Sequence, residues 1–196
     1  MKKGSLILLV ILGFVVISGY MGCNTYNSLV QKEETVKEKW GEVQNQYQRR
    51  SDLVPNLVNT VKGAAAHERG TLEAVTNARA KATSVQVDPE KLTPEQIQKF
   101  QNAQGELTQA LGRLMVVIER YPDLKVNQNF LDLQVQLEGT ENRITVARKA
   151  FNESVQDYNV MVRRFPNNMF ASMLGFERKG MFEAEQRAQT APEVQF

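Results

Sequence analysis

The feature that most constrains the fold of this chain is a series of large apolar residues that recur every seven positions in its C-terminal half. The series comprises Phe130, Leu137, Ile144, Phe151, Tyr158 and Phe165. Leu133, Ala147 and Met161 fill neighbouring positions of the same seam. A heptad repeat of this length aligns its apolar residues along one edge of a helix, which other helices must cover. It predicts a buried, coiled-coil-like helix from Asn127 to Phe165, about 58 Å long, ended by Pro166.

Two further segments show helical spacing of apolar residues. One begins at Tyr26 and continues through Leu29, Val36, Trp40, Val43 and Tyr47. The other follows Thr93-Pro94-Glu95-Gln96, which matches a capping box with Thr93 at the N-cap and Pro94 in the first turn. That helix carries Ile97, Phe100, Leu107, Leu111, Leu114, Ile118 and Tyr121, and Pro122 is expected to stop it.

The stretch QRRSDLVPNLVNTVKG, residues 48–63, interrupts this pattern with a proline. Ser51 and Asp52 are good N-cap residues, and Pro55 disfavours helical geometry at Val54. The stretch is therefore either a joint between two helices or a kink in one long helix. The following helix is expected to run to about Thr83, with Leu57, Val61, Ala64, Glu68, Leu72, Val75 and Ala82 facing inward.

Four amphipathic helices with short links favour an antiparallel four-helix-type bundle, so an all-α fold is expected. The predicted organisation is an anchor or signal segment at residues 1–23, a helical domain at 24–176 and a polar tail at 177–196. The apolar stretch MFASMLGF, residues 169–176, either docks on the end of the bundle or lies exposed as a partner or membrane contact. The tail is expected to fray.

The N-terminal segment determines the predicted location. Ser5–Gly22 is an uncharged, mainly apolar run of 18 residues preceded by Lys2 and Lys3. This length fits a membrane span, and no pair of small residues marks a signal-peptidase site near its end. The adjacent lysines predict that the N-terminus stays in the cytoplasm and that the helical domain lies outside it. Cys23 allows an alternative, a lipoprotein cleaved before this cysteine, although Tyr20-Met21-Gly22 fits the lipoprotein box poorly.

Composition excludes several classes of function. The formal net charge is +2, supplied by Lys2 and Lys3, so the remaining neutral chain has no general attraction for nucleic acid. One cysteine permits no internal disulfide, and one histidine with one cysteine cannot build the usual zinc site. His67-Glu68 would need a second histidine at Thr71 to form a zinc-protease motif. We therefore expect no catalytic, metal-binding or cofactor-binding residues.

Two polar clusters lie within the helical pattern. The first contains Arg49, Arg50 and Asp52, and the second contains Glu138, Glu141, Asn142, Arg143 and Arg148. One hypothesis is that Arg50 and Glu141 meet across two helices and set their register, because a buried ion pair can specify pairing. The alternative is that both groups are solvated.

A further pattern is formed by YNSLV (26–30), Trp40, QYQRRSDLVPNLVNTVKG (46–63), HE (67–68), RYPDLKVNQNF (120–130), LEGTENRITVARKAFNESVQDYN (137–159) and RRFPNN (163–168). Taken together, these stretches resemble the LemA family. The resemblance implies a bacterial membrane-anchored protein with one N-terminal span and a helical domain, without an established biochemical role or accepted catalytic residues. Some members carry a lipoprotein-like cysteine just before the YN segment, as Cys23 precedes Tyr26 here.

The function expected from these observations is a membrane-anchored, non-enzymatic helical scaffold or adaptor of the bacterial cell envelope. Its partners would be the membrane, through residues 5–22, and another envelope protein. The alternative is a structural or stress-related envelope protein that acts by self-assembly into homo-oligomers.

Overall fold

The computed structural model of the protein describes residues 3–65 and 67–183. These residues form helices and connecting segments without a strand, which confirms the all-α fold. The C-terminal part of α1 forms the bundle with α2, α3 and α5, whereas α4 and α6 are short. The helices are α1 (Lys3–Ala64), α2 (Arg69–Ser84), α3 (Pro94–Ile118), α4 (Pro122–Lys125), α5 (Gln128–Arg163) and α6 (Asn167–Met173).

Helix α1 continues through Pro55 without ending, so of the two alternatives left by the sequence the joint between two helices does not occur. A proline inside a helix costs roughly 3 kcal/mol. Val54 and Leu57 on either side are fully buried, and burying each contributes about 1.5–3 kcal/mol. Tertiary packing therefore offsets the local cost of the proline.

The actual break lies between the end of α1 at Ala64 and the start of α2 at Arg69, inside the segment predicted to form one helix up to Thr83. His67 lies there, exposed, in the turn that reverses the chain, and not in the middle of a helix. Glu68 precedes α2 and accepts hydrogen bonds from Tyr121 Oη and Arg120 Nη2, each at 3.1 Å. The turn is thus attached to the end of α3.

Helices α1 and α5 lie side by side and antiparallel. Lys32 Nζ pairs with Asp157 Oδ2 at 2.9 Å, and Arg50 Nη1 pairs with Glu141 Oε2 at 3.0 Å. Residue numbers rise along α1 as they fall along α5. The end of the bundle near residue 25 is here called the anchor-side end, and the end near residue 64 the far end.

Helices α2 and α3 form the second antiparallel pair. Lys81 Nζ pairs with Glu106 Oε1 at 2.6 Å near one end, and Glu68 pairs with Arg120 near the other. Together with the α1–α5 pair, this gives the up-down-up-down course of an antiparallel four-helix-type bundle, as predicted.

The predicted Thr93 cap and heptad series are largely confirmed, but the reciprocal bond of a capping box is not formed, because Gln96 Oε1 has no hydrogen-bond partner among the described residues. Thr93 Oγ1 accepts a hydrogen bond from the Gln96 main-chain nitrogen at 3.3 Å, with Pro94 in the first turn of α3. Phe165 is the exception. Helix α5 ends at Arg163, so Phe165 falls outside it and its side chain is 75 % exposed. The heptad residues from Phe130 to Tyr158 are all buried.

The buried apolar residues form two separate clusters. The anchor-side core includes Val36, Trp40, Tyr47, Phe100, Phe151 and Tyr158. The far-side core includes Val54, Leu57, Leu107, Leu114, Phe130 and Leu137.

The segment after α6 turns back along the bundle and packs into the anchor-side core. Phe182 is 5 % exposed, and its ring centroid lies 5.5 Å from that of Phe151 and 6.0 Å from that of Trp40. The side chain of Asn152 accepts a hydrogen bond from the main-chain nitrogen of Phe182 and donates one to its main-chain oxygen, each at 2.9 Å. The expected fraying is therefore wrong for residues 177–183, because one aromatic side chain anchors this polar segment. Residues 184–196 lie outside the described part of the chain.

Candidate functional site

A layer of buried polar side chains separates the two apolar cores. It contains Arg50 and Ser51 from α1, Gln104 from α3 and Thr140 from α5, all buried. All four residues lie at the same height of the bundle. Along its own helix, each is about one turn from a residue of the anchor-side core and, in the other direction, about one turn from a residue of the far-side core. Polar groups at such positions require hydrogen-bond partners, since burying an unpaired group costs free energy.

Arg50 is the centre of this layer. Its Nη1 donates to Glu141 Oε2 at 3.0 Å and to Thr108 Oγ1 at 2.9 Å. Its Nη2 donates to the side-chain oxygen of Gln104 at 2.8 Å and to the Gln104 main-chain oxygen at 3.2 Å. The guanidinium also lies over the ring of Tyr47, with Cζ 5.0 Å from the ring centroid. One side chain thus connects α1, α3 and α5.

The two members of the Arg50–Glu141 pair differ strongly in exposure. The Arg50 side chain is 3 % exposed and that of Glu141 is 51 % exposed. The cation is therefore the desolvated partner, and Glu141 is its charged acceptor at the edge of the layer. The structure brings the two sequence-predicted residues into contact.

The layer is connected to α2 by two further contacts. Gln104 Nε2 donates to the Ala82 main-chain oxygen at 3.3 Å. Arg79 Nε donates to the Ser51 main-chain oxygen at 2.8 Å. All four long helices therefore meet at this height through hydrogen bonds. These contacts support the hypothesis that the layer sets the relative register of the helices, which stays a prediction.

The side chains of the layer hold one another in position through hydrogen bonds. Arginine remains protonated at accessible pH and cannot transfer protons. Burial raises the pKa of Tyr47 above its ordinary value, an effect that the nearby Arg148 and Arg50 oppose. Tyr47 is thus neutral at physiological pH. Among the described residues of the layer, Glu141 carries the one carboxylate, and it accepts a hydrogen bond from Arg50.

A surface cavity of about 350 Å³ opens beside the layer, between α1 and the segment that follows α2. Tyr47, Gln48, Thr83, Gln86 and Gln104 are among its lining residues. The lining contains no side chain that is charged at neutral pH. It therefore offers hydrogen bonds but no pair of acid and base.

Sequence reasoning identified Arg50 and Glu141 but missed Ser51, Gln104, Thr108 and Thr140. A signal for the layer exists in the sequence. Arg50 lies between Tyr47 and Val54 at spacings of three and four, which is an inward position of the seam. Gln104 lies at the same kind of inward position between Phe100 and Leu107, and Thr140 does so between Leu137 and Ile144.

The other residues considered from the sequence lie apart from the layer. His67 is exposed in the turn before α2, and Cys23 is an exposed free thiol on α1, directly after the apolar run. Within residues 3–65 and 67–183, histidine, cysteine and carboxylate side chains form no group of three or more that could hold a metal ion. Lipidation of Cys23 stays a prediction.

A shallow groove of about 350 Å³ runs along the outer face of the α1–α5 pair. Its floor is formed by the small residues Ala147 and Ala150, with Val146 exposed beside them. Glu42 and Arg143 lie at its edges. Gln46 also lines the groove, and its Oε1 is buried without a hydrogen-bond partner among the described residues.

The N-terminal part of α1 extends away from the bundle. An 18-residue window there has a mean hydropathy of 2.1, and the rest of the described chain buries none of it. By length and composition this is a helix that could cross a membrane. It supports a membrane location for the protein.

Several known proteins are similar in sequence to this chain over most of its length. Magnetosome protein MamQ of Magnetospirillum gryphiswaldense is 27 % identical over 182 residues, covering 84 % of this chain and 67 % of the relative. Magnetosome protein MamQ 1 of Paramagnetospirillum magneticum is 26 % identical with the same coverage. Protein LemA of Metamycoplasma hominis is 22 % identical over 160 residues, covering 82 % of this chain and 69 % of the relative.

The sequence profile of the LemA family matches residues 39–196. The match includes α2, α3, α5 and the polar layer, together with the segment that carries Phe182. It confirms the resemblance inferred from the motifs: the chain belongs to the LemA family.

Proposed function

We propose that this protein is a membrane-anchored, non-enzymatic scaffold or adaptor that presents a helical surface to another protein of the bacterial cell envelope. One observation carries the proposal. A single helix of 62 residues, α1, contains both the apolar segment and one edge of the bundle. At 1.5 Å per residue it is about 93 Å long. Anchor and bundle are therefore coupled without a hinge.

The polar layer supports this proposal. Its hydrogen bonds join the four long helices at one height, so the outer surface keeps a fixed shape relative to the anchor. A rigid surface loses little conformational entropy when a partner binds. The chemistry of the layer is positional, and the names of the relatives, magnetosome protein MamQ and protein LemA, state no reaction.

The groove on the α1–α5 pair is the candidate contact surface. Its small floor residues allow a helix to approach closely. Glu42 and Arg143 would fix the direction of that helix through their opposite charges. The proposed partner segment is an amphipathic helix of an envelope protein.

Site-specific photo-crosslinking in native membranes tests this function. A photo-crosslinking residue at Val146 in the groove is compared with one at Val116 on α3, because the two valines are similarly exposed, 69 % and 72 %. We expect one product of defined mass from position 146, containing an envelope protein, and none from position 116. Ala150→Arg should remove the product by filling the groove. Equal crosslinking at both positions, or none at 146, would contradict the adaptor function.

The same experiment separates the alternatives. A product that contains only a second copy of this chain would favour self-assembly. An enzyme would instead show an activity that Arg50→Lys or Tyr47→Phe abolishes while the fold persists.

The fate of the N-terminal segment and the side of the membrane are tested separately. An intact mass that includes residues 1–22 would establish a retained anchor, and a mass beginning at Cys23 with acyl chains would establish a lipoprotein. Both forms place residues 24–196 outside the cytoplasm, so protease added to intact spheroplasts should degrade the bundle. Protection of the bundle would contradict the proposed orientation.

A further inference from the structure

We infer that the anchor-side end of the bundle lies directly on the lipid bilayer, with an apolar patch around α6 inserted among the lipid headgroups. The patch consists of Phe165, Met169, Met173 and Leu174, all exposed in the structure. This inference rests on the proposed membrane anchoring and adds a second membrane contact, made by a part of the chain remote in sequence from the anchor.

The position of α6 along α1 places the patch at the membrane boundary. The apolar run ends at Gly22, and its 18 residues are about 27 Å long, close to the roughly 30 Å of a hydrocarbon core. A Cβ added to Gly22 would lie 3.3 Å from Cε1 of Phe170. Thr25 Oγ1 donates to Asn167 Oδ1 at 3.2 Å. Helix α6 thus packs on α1 at the height where the apolar run stops.

The patch occupies the face of α6 that points away from the bundle. Met169 and Met173 are one helical turn apart and share a face. Ala171, on the opposite side, is buried against the bundle. Apolar side chains on a surface helix at this height are stabilised when they enter the boundary between headgroups and acyl chains, about 5–10 Å deep.

The charges around the patch suit a membrane surface with anionic lipids. Residues 163–178 contain Arg163, Arg164 and Arg178 but only one acidic residue, Glu177, giving three positive charges against one negative. None of the three arginines forms an ion pair with another described residue. Basic side chains close to an anionic lipid surface are attracted to it.

Continuity with the anchor favours lipid over a protein as the occupant of the patch. Tyr20 and Met21 are exposed at the end of the apolar run, and Phe170 next to Gly22 joins this surface to α6. Because α1 continues unbroken from the anchor into the bundle, a membrane that surrounds residues 5–22 must also reach α6.

An environment-sensitive dye on single cysteines of the full-length protein tests the inference. In a Cys23→Ser background, NBD is attached at Met173→Cys and the protein is reconstituted in vesicles of phosphatidylcholine and phosphatidylglycerol. The control is Val126→Cys at the far end, since the two side chains are equally exposed, 75 % and 77 %. A second control, Gln31→Cys, lies about 14 Å above Gly22 along α1.

We expect the dye at position 173 to emit at shorter wavelength and to lose about half of its intensity when the lipids carry a doxyl quencher. The dyes at positions 31 and 126 should remain water-like and unquenched. Water-like emission at position 173 would overturn the inference. A blue shift there without quenching would overturn it too, because it would mean a protein contact.

A dye at Val15→Cys reports on the anchor itself. Quenching at position 15 without quenching at position 173 would leave membrane anchoring intact and contradict only the contact of α6. Absence of quenching at position 15 would contradict the anchoring on which the inference rests.

Discussion

The side chain of Arg79 donates a hydrogen bond of 2.8 Å from Nε to the main-chain oxygen of Ser51. In an uninterrupted helix that oxygen would accept from the nitrogen of residue 55, four positions later. Residue 55 is a proline and has no N–H to donate. Ser51 is 1 % exposed, so water does not replace the missing donor. Arg79 of α2 therefore satisfies the carbonyl that Pro55 leaves open in α1.

This relationship predicts a coupling between positions 79 and 55. Arg79→Met should lower the free energy of unfolding by about 1–3 kcal/mol, because it leaves a buried carbonyl without a donor. In a Pro55→Ala background the same change should cost less than about 0.5 kcal/mol, since the alanine N–H restores the helical bond. Denaturant unfolding of the detergent-solubilised full-length chain measures both.

The control for this cycle is Lys81→Met, which removes an exposed ion pair on the same helix and should change stability by less than about 0.5 kcal/mol. An equal cost of Arg79→Met with and without Pro55 would show that the two positions are independent.

The polar layer predicts that Glu141 matters more than its exposure suggests. Glu141→Gln should cost about 1–2 kcal/mol, because it removes the charged acceptor of the buried Arg50. Glu138→Gln, one turn earlier on α5 and also exposed, should cost less than about 0.5 kcal/mol. Unfolding of both variants by denaturant gives the comparison.

A double-mutant cycle with Arg50→Met isolates the pair. If the contact sets the pairing of α1 and α5, the coupling free energy should be about 1 kcal/mol or more. A coupling free energy of zero would remove the register hypothesis, even though the two side chains are 3.0 Å apart.

The packing of Phe182 predicts that the polar C-terminal segment contributes to stability. Phe182→Ala should lower the free energy of unfolding by about 3–4 kcal/mol through the cavity it leaves beside Trp40. Trp40 is the one tryptophan of the chain, so its fluorescence should shift to longer wavelength as water enters. Met181→Ala, at the exposed neighbouring position, should change neither observable. Unchanged Trp40 emission in Phe182→Ala would show that the segment does not pack there.

The burial of Tyr158 predicts that the folded protein loses stability at alkaline pH. Burial raises its pKa above the ordinary value, and its hydroxyl has no hydrogen-bond partner among the described residues. The folded state therefore holds this proton more tightly than the unfolded state. The stabilisation is complete below about pH 10, the pKa of an unfolded tyrosine, and is lost as the pH rises further.

In Tyr158→Phe the free energy of unfolding should fall less steeply as the pH rises into the alkaline range, by up to about 1.4 kcal/mol per pH unit. At neutral pH it should be neutral or slightly stabilising, since it removes a buried hydroxyl without a partner. Thermal unfolding from pH 7 to 11 measures the slope, with Tyr26→Phe as the control because Tyr26 is exposed. An unchanged alkaline slope in Tyr158→Phe would contradict the prediction.

The local features of the fold could be predicted where periodicity and capping act within one segment. The heptad series from Phe130 to Tyr158 and the Thr93 cap follow from neighbouring residues, as does the apolar run that ends at Gly22. The same seam positions hold Arg50 and Gln104, and their polar character at inward positions was a readable but overlooked sign of the layer.

Other features were decided only when the helices packed together. The sequence alone left Pro55 as a joint or a kink; α1 continues through it because Val54 and Leu57 are buried and because Arg79 reaches the open Ser51 carbonyl. A polar composition predicted a frayed tail, yet the side chain of Phe182 packs among aromatic rings from three helices, those of Trp40, Phe100 and Phe151. The periodicity of a segment indicates which of its faces must be buried against other residues. The residues that bury that face lie far away in sequence and are identified only in the folded bundle.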